Sequence, residues 1–466
     1  MRISRFSLVF LLMGMFVSAA GAFAQTGPYQ GSASAGPPSD QPVSLSLDQA
    51  LKMGLRFNLG GITAEQASQR ATGEKIVVRS ALFPDLSGGL RENVEQIDLA
   101  SYGFKFKFPP SLGLNFPNIV GPFNFIDLRG YLTQRIADVQ AIRSYQSARE
   151  AERAAELSMA DSREIVVYVV TEAYLQVLAE SARVESVKAQ VDSAQAIFHQ
   201  ASDRFNAGLS AKIDMTRSNV ELQTQQQRLT AEQANYAKQK IGLARLIGMS
   251  PAQVYSLADK MPYAPLENMT VDQALTLAAQ NRSDLKAAEA QLHSAEYARK
   301  AAVAERYPTL GVTADYGLIG INPANSHGTF DVSAQLLFPI WAGGHTHGDI
   351  VEADSTLKQR RAEYESTRSR VEADVRNAYL DLNAAAEQVR VAQSRRELAR
   401  DQLAQSTDRF ASGVADTVEV TQAQEVVASA ESEYIEDLNA HNLAKASVAR
   451  ATGQAEKIMR ELLRSQ

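Results

Sequence analysis

Apolar residues recur at every seventh position through the middle of the chain, where Val170, Val177, Val184, Val191, Phe198 and Phe205 form one uninterrupted series. Seven residues make close to two helical turns, so the series marks one face of a long α-helix packed at coiled-coil spacing. A second series, Val375, Leu382, Val389, Arg396, Leu403 and Phe410, repeats the first 205 residues later with one charged interruption. Interspersed alanines, and a remainder rich in Gln, Arg, Glu and Ser, predict a narrow apolar seam with another face in water. An ordinary coiled coil fits these windows taken alone.

Between the helical stretches the period falls to two. Tyr102, Phe104, Phe106 and Phe108 alternate with Gly103, Lys105 and Lys107, and Leu310, Val312, Ala314 and Tyr316 alternate with Thr313 and Asp315. Phe330, Val332, Ala334, Leu336 and Phe338 do the same around Asp331, Ser333 and Gln335. Alternation of this length with aromatics near its ends is the pattern of membrane β-strands, although a half-buried soluble sheet alternates in the same way. The pattern predicts two strands at about 86–133 and two at about 309–339. Four strands are too few to close a barrel, and open edges are not tolerated in lipid, so other subunits are expected to complete the sheet.

Proline delimits the helices. All 15 prolines lie outside 123–250 and 340–466, two windows of 128 and 127 residues. Within the windows Ala173-Tyr174-Leu175 recurs as Ala378-Tyr379-Leu380, and Arg204-Phe205 with Gly208 recurs as Arg409-Phe410 with Gly413, all at the offset of 205. Upstream, Asp48-Gln49-Ala50-Leu51 recurs as Asp272-Gln273-Ala274-Leu275 and Phe83-Pro84 as Tyr307-Pro308, at an offset of 224. The first half therefore carries 19 extra residues, and with Pro109, Pro110, Pro117 and Pro122 these are expected to form an enlarged loop between its strands. Ser46 with Gln49 and Thr270 with Gln273 have capping-box spacing, so a helix opens each half.

The lengths of the limbs match. A long limb from Leu132 to Phe205 has 74 residues, which is about 110 Å of helix. The opening helix, Leu47 to Leu82, and the return limb, Ala211 to Gly248, have 36 and 38 residues and together equal it. A cylinder of equal-height staves follows, with repeat 1 at 45–265 and repeat 2 at 266–466.

Composition narrows the setting. Arg2 and Arg5 precede an apolar run to Val17 and an Ala22-Phe23-Ala24 site, the form of a cleaved signal peptide at 1–24. A Ser, Gly and Pro-rich flexible leader is expected at 25–44. The chain has no Cys, so neither disulfides nor a lipid anchor on cysteine is available, and no other stretch is continuously apolar for the length of a membrane-spanning helix. Its charge of -6, which becomes -8 without the signal, argues against nucleic-acid binding. An enzyme would need a site. His345-Thr346-His347 has chelating spacing, but no third ligand or acid at a recognisable spacing completes it. No cofactor-binding or metal motif is therefore expected, and the pair reads as a wet helix start.

At this point the chain resembles the TolC family of outer-membrane efflux proteins over nearly its whole mature length. The resemblance rests on the paired Asp-Gln-Ala-Leu and Ala-Tyr-Leu marks and on two turns, Arg204-Phe205-Asn206-Ala207-Gly208-Leu209 and Arg409-Phe410-Ala411-Ser412-Gly413-Val414. Phe338-Pro339-Ile340-Trp341 before Gly343-Gly344 is similar to the family's strand-to-helix junction. The resemblance implies a mainly α protein with a membrane β part: a homotrimer with one shared twelve-stranded barrel in the outer-membrane lipid. A long antiparallel helical barrel would then reach through the periplasm to an adaptor and an inner-membrane pump. It places the adaptor contact at Gly208, Leu209, Ser210, Gly413, Val414 and Ala415. It also places the pore constriction at Glu419 and Gln422, with Asp214 and Arg217 at the equivalent first-half positions. Asp214 is expected to pair with Arg217 or Arg409. Drug or metal efflux and type I protein secretion share this design, and a soluble periplasmic coiled-coil scaffold is the alternative outside it.

Overall fold

The computed structural model describes residues 27–38, 41–104, 117–261, 263 and 269–462; the signal segment lies outside them. The elements run β1 (Val43–Leu45), α1 (Leu47–Phe57), α2 (Leu59–Ser80), β2 (Asp85–Asp98), β3 (Ile119–Ala137), α3 (Val139–Asn206) and α4 (Lys212–Leu246). They continue with β4 (Tyr255–Leu257), α5 (Val271–Asn281), α6 (Ser283–Ala304), β5 (Thr309–Gly320), β6 (Ser326–Leu337), α7 (His345–Ala411), α8 (Thr417–Ala451) and α9 (Ala455–Leu462).

Closely matched helix lengths mark the two halves: 11 and 22 residues for α1 and α2 and again for α5 and α6, 68 and 67 for the long helices, and 35 for each return helix. Both expected capping boxes form, on Ser46 and on Thr270. Each opening helix, expected to be continuous, is broken at one residue, and the two breaks lie at equivalent positions. Asn58 is fully buried there and donates to the Tyr29 carbonyl at 2.8 Å while its Oδ1 accepts the Gly60 N–H at 2.9 Å. Arg282 fills the second break, only 4 % exposed. The long helices also start later than expected, because β3 continues to Ala137 before α3 begins.

Contact grouping divides the chain into two units. The first comprises the described residues within 27–62, 165–261 and 395–439. Its core gathers Leu45, Leu51, Val166, Val170, Tyr174, Leu243 and Ile247, and a Cβ on Gly54 would lie 2.6 Å from Val170, so glycine lets α1 sit against α3. Tyr174 of the repeated Ala-Tyr-Leu mark donates to Asp259 at 2.6 Å, and Asp259 also accepts the Leu47 N–H at 2.8 Å. Its counterpart Tyr379, in the second unit, has no hydrogen-bond partner for its hydroxyl among the described residues.

The leader is not the flexible segment expected. Ser32 bridges to Asn58, the Ala33 and Ala35 N–H groups donate to Phe57 and Gly248 carbonyls at 2.8 Å, and β1 pairs in parallel with β4. The two strands of this pair have three residues each, too short to show a period in the sequence.

The second unit comprises the described residues within 63–164, 263–394 and 440–462. Its helical core is a seam of Ala274, Ala278, Val371, Val375, Ala378, Leu382 and Val448. It also carries the antiparallel sheet, ordered β2-β3-β5-β6. Part of the strand expectation is corrected here: Tyr102 and Phe104 lie in the turn region after β2, because Gly103 adopts a positive φ of 85°. Phe106, Phe108, Pro109 and Pro110 lie outside the described residues. Pro122, expected in a loop, sits in β3 near the register shift between Glu95 and Ile97, a place where a missing N–H is tolerated.

Candidate functional site: an unpartnered sheet and two helical turns

Register gives the sheet one mainly apolar and one mainly polar side, with Tyr131 on the polar side between Ser87 and Asp315. Leu86 pairs with Leu132 and Leu90 with Leu128; Leu128 pairs with Leu318, Ala314 with Val332, Tyr316 with Phe330 and Leu310 with Leu336. All of these lie on one face. The opposite face carries Ser87, Arg91, Asp127, Arg129, Thr133, Thr313, Asp315, Thr329, Asp331 and Ser333. Arg129 ties this polar side together, bonding Asp127 at 3.2 Å, Asp315, and Thr329 at 2.9 Å.

Among the described residues, no other element covers either face. In β6 every residue after Ser326 is exposed, and Leu86, Leu90, Leu128, Tyr316, Phe330, Val332 and Leu336 are exposed apolar residues of one continuous patch. From Leu310 to Leu318 the apolar side extends eight residues, about 26 Å at 3.3 Å per residue, the height of a lipid-facing band. Phe83, Tyr307, Phe338 and Trp341 gather, exposed, where the helices meet the strands, the position of an aromatic girdle. α3 also contains a stretch of membrane-spanning length and composition, but 56 % of that stretch is buried inside the structure.

The other candidate lies at the turns α3–α4 and α7–α8. Gly208 and Gly413 both adopt left-handed φ, +72° and +75°. Each closes a long helix in the same way: Leu209 N–H reaches the Arg204 carbonyl at 2.8 Å and Val414 N–H the Arg409 carbonyl at 2.9 Å. Leu209 and Val414 stand exposed beside them. Ser210 and Ala415 complete the two turns, and Ala415 packs towards the small cluster of Ile197, Phe410 and Val420.

The charged residues around the turns do not pair as the sequence suggested. Arg409 Nε donates to Glu419 at 3.0 Å, whereas Asp214 accepts from the Thr417 hydroxyl at 2.9 Å. Asp214 faces Thr417 rather than an arginine because Thr417, 1 % exposed, projects from the first turn of α8. Asp416 Oδ1 accepts the Glu419 N–H at 3.1 Å, capping α8 and holding Glu419 towards Arg409. Arg204 spans the two turns, donating to the Phe410 carbonyl at 2.6 Å and lying over its ring. The role of Arg204 was missed; the repetition of Arg-Phe before each glycine was the available signal. Gln422 and Arg217 follow one helical turn after Glu419 and Asp214.

His345 begins α7 and stands exposed, the wet helix start expected of it, but two acids lie beside it that the sequence reading did not join to it. Glu305, at the end of α6, and Asp349, one turn into α7, are both brought beside it, with His345 Nδ1 2.9 Å from Asp349 and 4.0 Å from Glu305. Forty residues separate Glu305 from His345, too far for a spacing rule to join them.

The model of the outer membrane efflux protein family matches residues 62–249 and 274–454, one match in each half. The chain belongs to this family. Family membership places it in the bacterial outer membrane. Among curated relatives it is 24 % identical over 295 residues to the pyoverdine export outer membrane protein OpmQ of Pseudomonas aeruginosa, covering 62 % of this chain and 61 % of that one. It is 22 % identical over 287 residues to nodulation protein T of Rhizobium leguminosarum bv. trifolii, covering 60 % and 62 %. The chain thus spans about three fifths of the length of the curated relatives it matches.

The fold is that of solved outer-membrane channels. The outer membrane protein VceC of Vibrio cholerae superposes with a TM-score of 0.73 at 17 % identity, over 87 % of this chain and 96 % of that one. The CmeC outer membrane channel of Campylobacter jejuni does so with 0.74 at 14 % identity, over 93 % and 94 %. Family and fold are those of channels rather than enzymes.

Proposed function

We propose that this efflux-family chain is the passive outer-membrane exit duct of a tripartite efflux or export system. It works as a homotrimer with a periplasmic adaptor and an inner-membrane pump and performs no covalent chemistry. The observation that carries the reading is the sheet with one uncovered apolar face, one polar face and two open edges, β2 and β6. Backbone groups at such edges have no partner in lipid, so the sheet must close on copies of itself. With an even number of strands per chain, β2 and β6 run in opposite directions, so β6 of one copy can pair antiparallel with β2 of the next. Three copies then give a barrel whose polar side faces a water-filled lumen and whose apolar side faces lipid.

The long helices carry the passage into the periplasm as a tunnel, and the turns at Gly208 and Gly413 form its far end. There Leu209, Ser210, Val414 and Ala415 offer the adaptor a surface, and Glu419, Gln422, Asp214 and Arg217 line the constriction. A soluble scaffold would leave the apolar sheet face in water. Protein secretion through the same duct is compatible with this geometry, since the pump chooses the cargo.

Complementation tests the reading. In a host lacking its own outer-membrane duct, but carrying the cognate pump and adaptor, the chain should restore export, and Gly413→Trp should abolish it while trimers persist in the membrane. Export that survives a demonstrably altered turn would move the adaptor contact elsewhere. A chain released with the periplasmic fraction would refute the duct itself.

A further inference from the structure

The strand-to-helix junction of the second half holds a group of side chains that export does not use. Gly343 and Gly344, with φ of +62° and +94°, turn the chain sharply into α7, whose first residue is His345. One helical turn on, Asp349 stands on the same face, the spacing at which a helix presents two ligands to one ion. Glu305 ends α6 and completes the triangle: one ligand atom from each residue lies within 4.8 Å of the other two. Gln140 donates to the Glu305 Oε1 at 3.0 Å, fixing the carboxylate from behind.

Bound to a tetrahedral zinc-like ion, the three donor atoms would stand about 3.3 to 3.6 Å apart, given metal–ligand distances of about 2.0 to 2.2 Å. The 2.9 and 4.0 Å separations from His345 lie on either side of this. Remaining coordination positions open to water.

We infer that Glu305, His345 and Asp349 form a binding site for a divalent transition-metal ion, one per chain, that staples the end of α6 to the start of α7. The imidazole selects zinc-like ions over calcium and magnesium, which take oxygen ligands. His347, two residues along the helix, points off this face and takes no part. The site stands apart from the export role: it braces the junction from which β5 leaves and to which β6 returns.

Calorimetric titration of the full-length, chelator-stripped protein in detergent with Zn2+ tests the inference. One Zn2+ per chain is expected in the unaltered protein, with affinity falling at least tenfold in His345→Ala and in Asp349→Asn, unchanged in His347→Ala, and not competed by equimolar Ca2+. Circular dichroism of each variant separates lost binding from lost fold, and Co2+ substitution in the unaltered protein should give visible bands of a nitrogen-ligated ion. Absence of stoichiometric binding in the unaltered protein would overturn the site. So would undiminished binding in well-folded His345→Ala and Asp349→Asn, or loss of binding on changing His347 alone.

Discussion

Replacing Arg282 with methionine should destabilise the second unit more than any other single polar change at a helix break. The guanidinium donates to Asp284 at 2.8 and 2.7 Å and to Asp374 at 3.1 Å while almost wholly buried. Burial alone would raise the Asp284 carboxyl, but the hydrogen bonds and charge of Arg282 outweigh it and hold that group below the usual carboxylate range. Removing one partner of a buried pair leaves the other charge uncompensated, at about 3 to 5 kcal/mol. Arg370 remains 3.4 Å from Asp284 and Asp374 is half exposed, so the lower end, about 3 kcal/mol, is expected. Because removing both partners leaves no orphaned charge, Arg282→Met with Asp284→Asn should recover most of the loss. Denaturation followed by the far-ultraviolet helix signal in detergent measures both variants.

The pH dependence has a definite sign. A carboxyl depressed in the folded state contributes stability above its unfolded value, about 3.9, and loses it as pH falls through the folded value. The difference between the unaltered protein and Arg282→Met should therefore be full at pH 7 and shrink in acid below that range. An Arg282→Met variant as stable as the original at pH 7, or a double variant no better than the single one, would refute the assignment.

Other consequences are read at single sites. In planar bilayers, Glu419→Ala should weaken cation preference and block by multivalent cations, whereas Arg409→Ala, which frees the Glu419 carboxylate from its 3.0 Å partner, should strengthen both; unchanged selectivity in the two would remove Glu419 from the constriction. Thr417→Val deprives Asp214 of its 2.9 Å donor and should raise resting conductance. Burial, with the bond to Asp259, pushes the Tyr174 hydroxyl far above its ordinary value, so it stays a proton donor at every working pH. Tyr174→Phe should then cost about 1.5 to 3 kcal/mol, because the lost bond is to a charged group, while Tyr379→Phe, whose hydroxyl has no partner among the described residues, should cost much less.

The sequence carried the features that repeat over many residues. A seven-residue period sustained across long helices, a two-residue period in β5 and β6, and glycines at the two turns each follow from local geometry and could be read from one chain. The breaks at Asn58 and Arg282 could not, since each turns on a single buried polar residue that also needs a partner from elsewhere in the chain, Tyr29 for Asn58 and Asp374 for Arg282. Asn58 and Arg282 occupy equivalent positions yet solve the break differently, one with carbonyl partners and one with carboxylates. The same limit applies at the turns. Equivalence would have paired Asp214 as Glu419 is paired, but Lys212 stands where the other half has Thr417, and Arg204 is drawn to the Phe410 carbonyl. The leader's composition read as flexible because its order rests on backbone bonds to Phe57 and Gly248, which composition does not show. Tyr102 and Phe104 misled for the opposite reason, with a strand-like alternation interrupted by one positive-φ glycine.

Closure of the sheet by copies of the same chain is the central claim, and cross-linking of the two open edges tests it most directly. The chain has no cysteine, so a pair placed at Leu90 of β2 and at successive positions of β6 from Gly328 to Leu336 reports only on those edges. Oxidation in the membrane should give a covalent ladder ending at three chains, strongest at one β6 position and at its neighbours two residues away on the same face. Failure to cross-link at every position, with a single-chain mass in mild detergent and the strand signal retained, would contradict it.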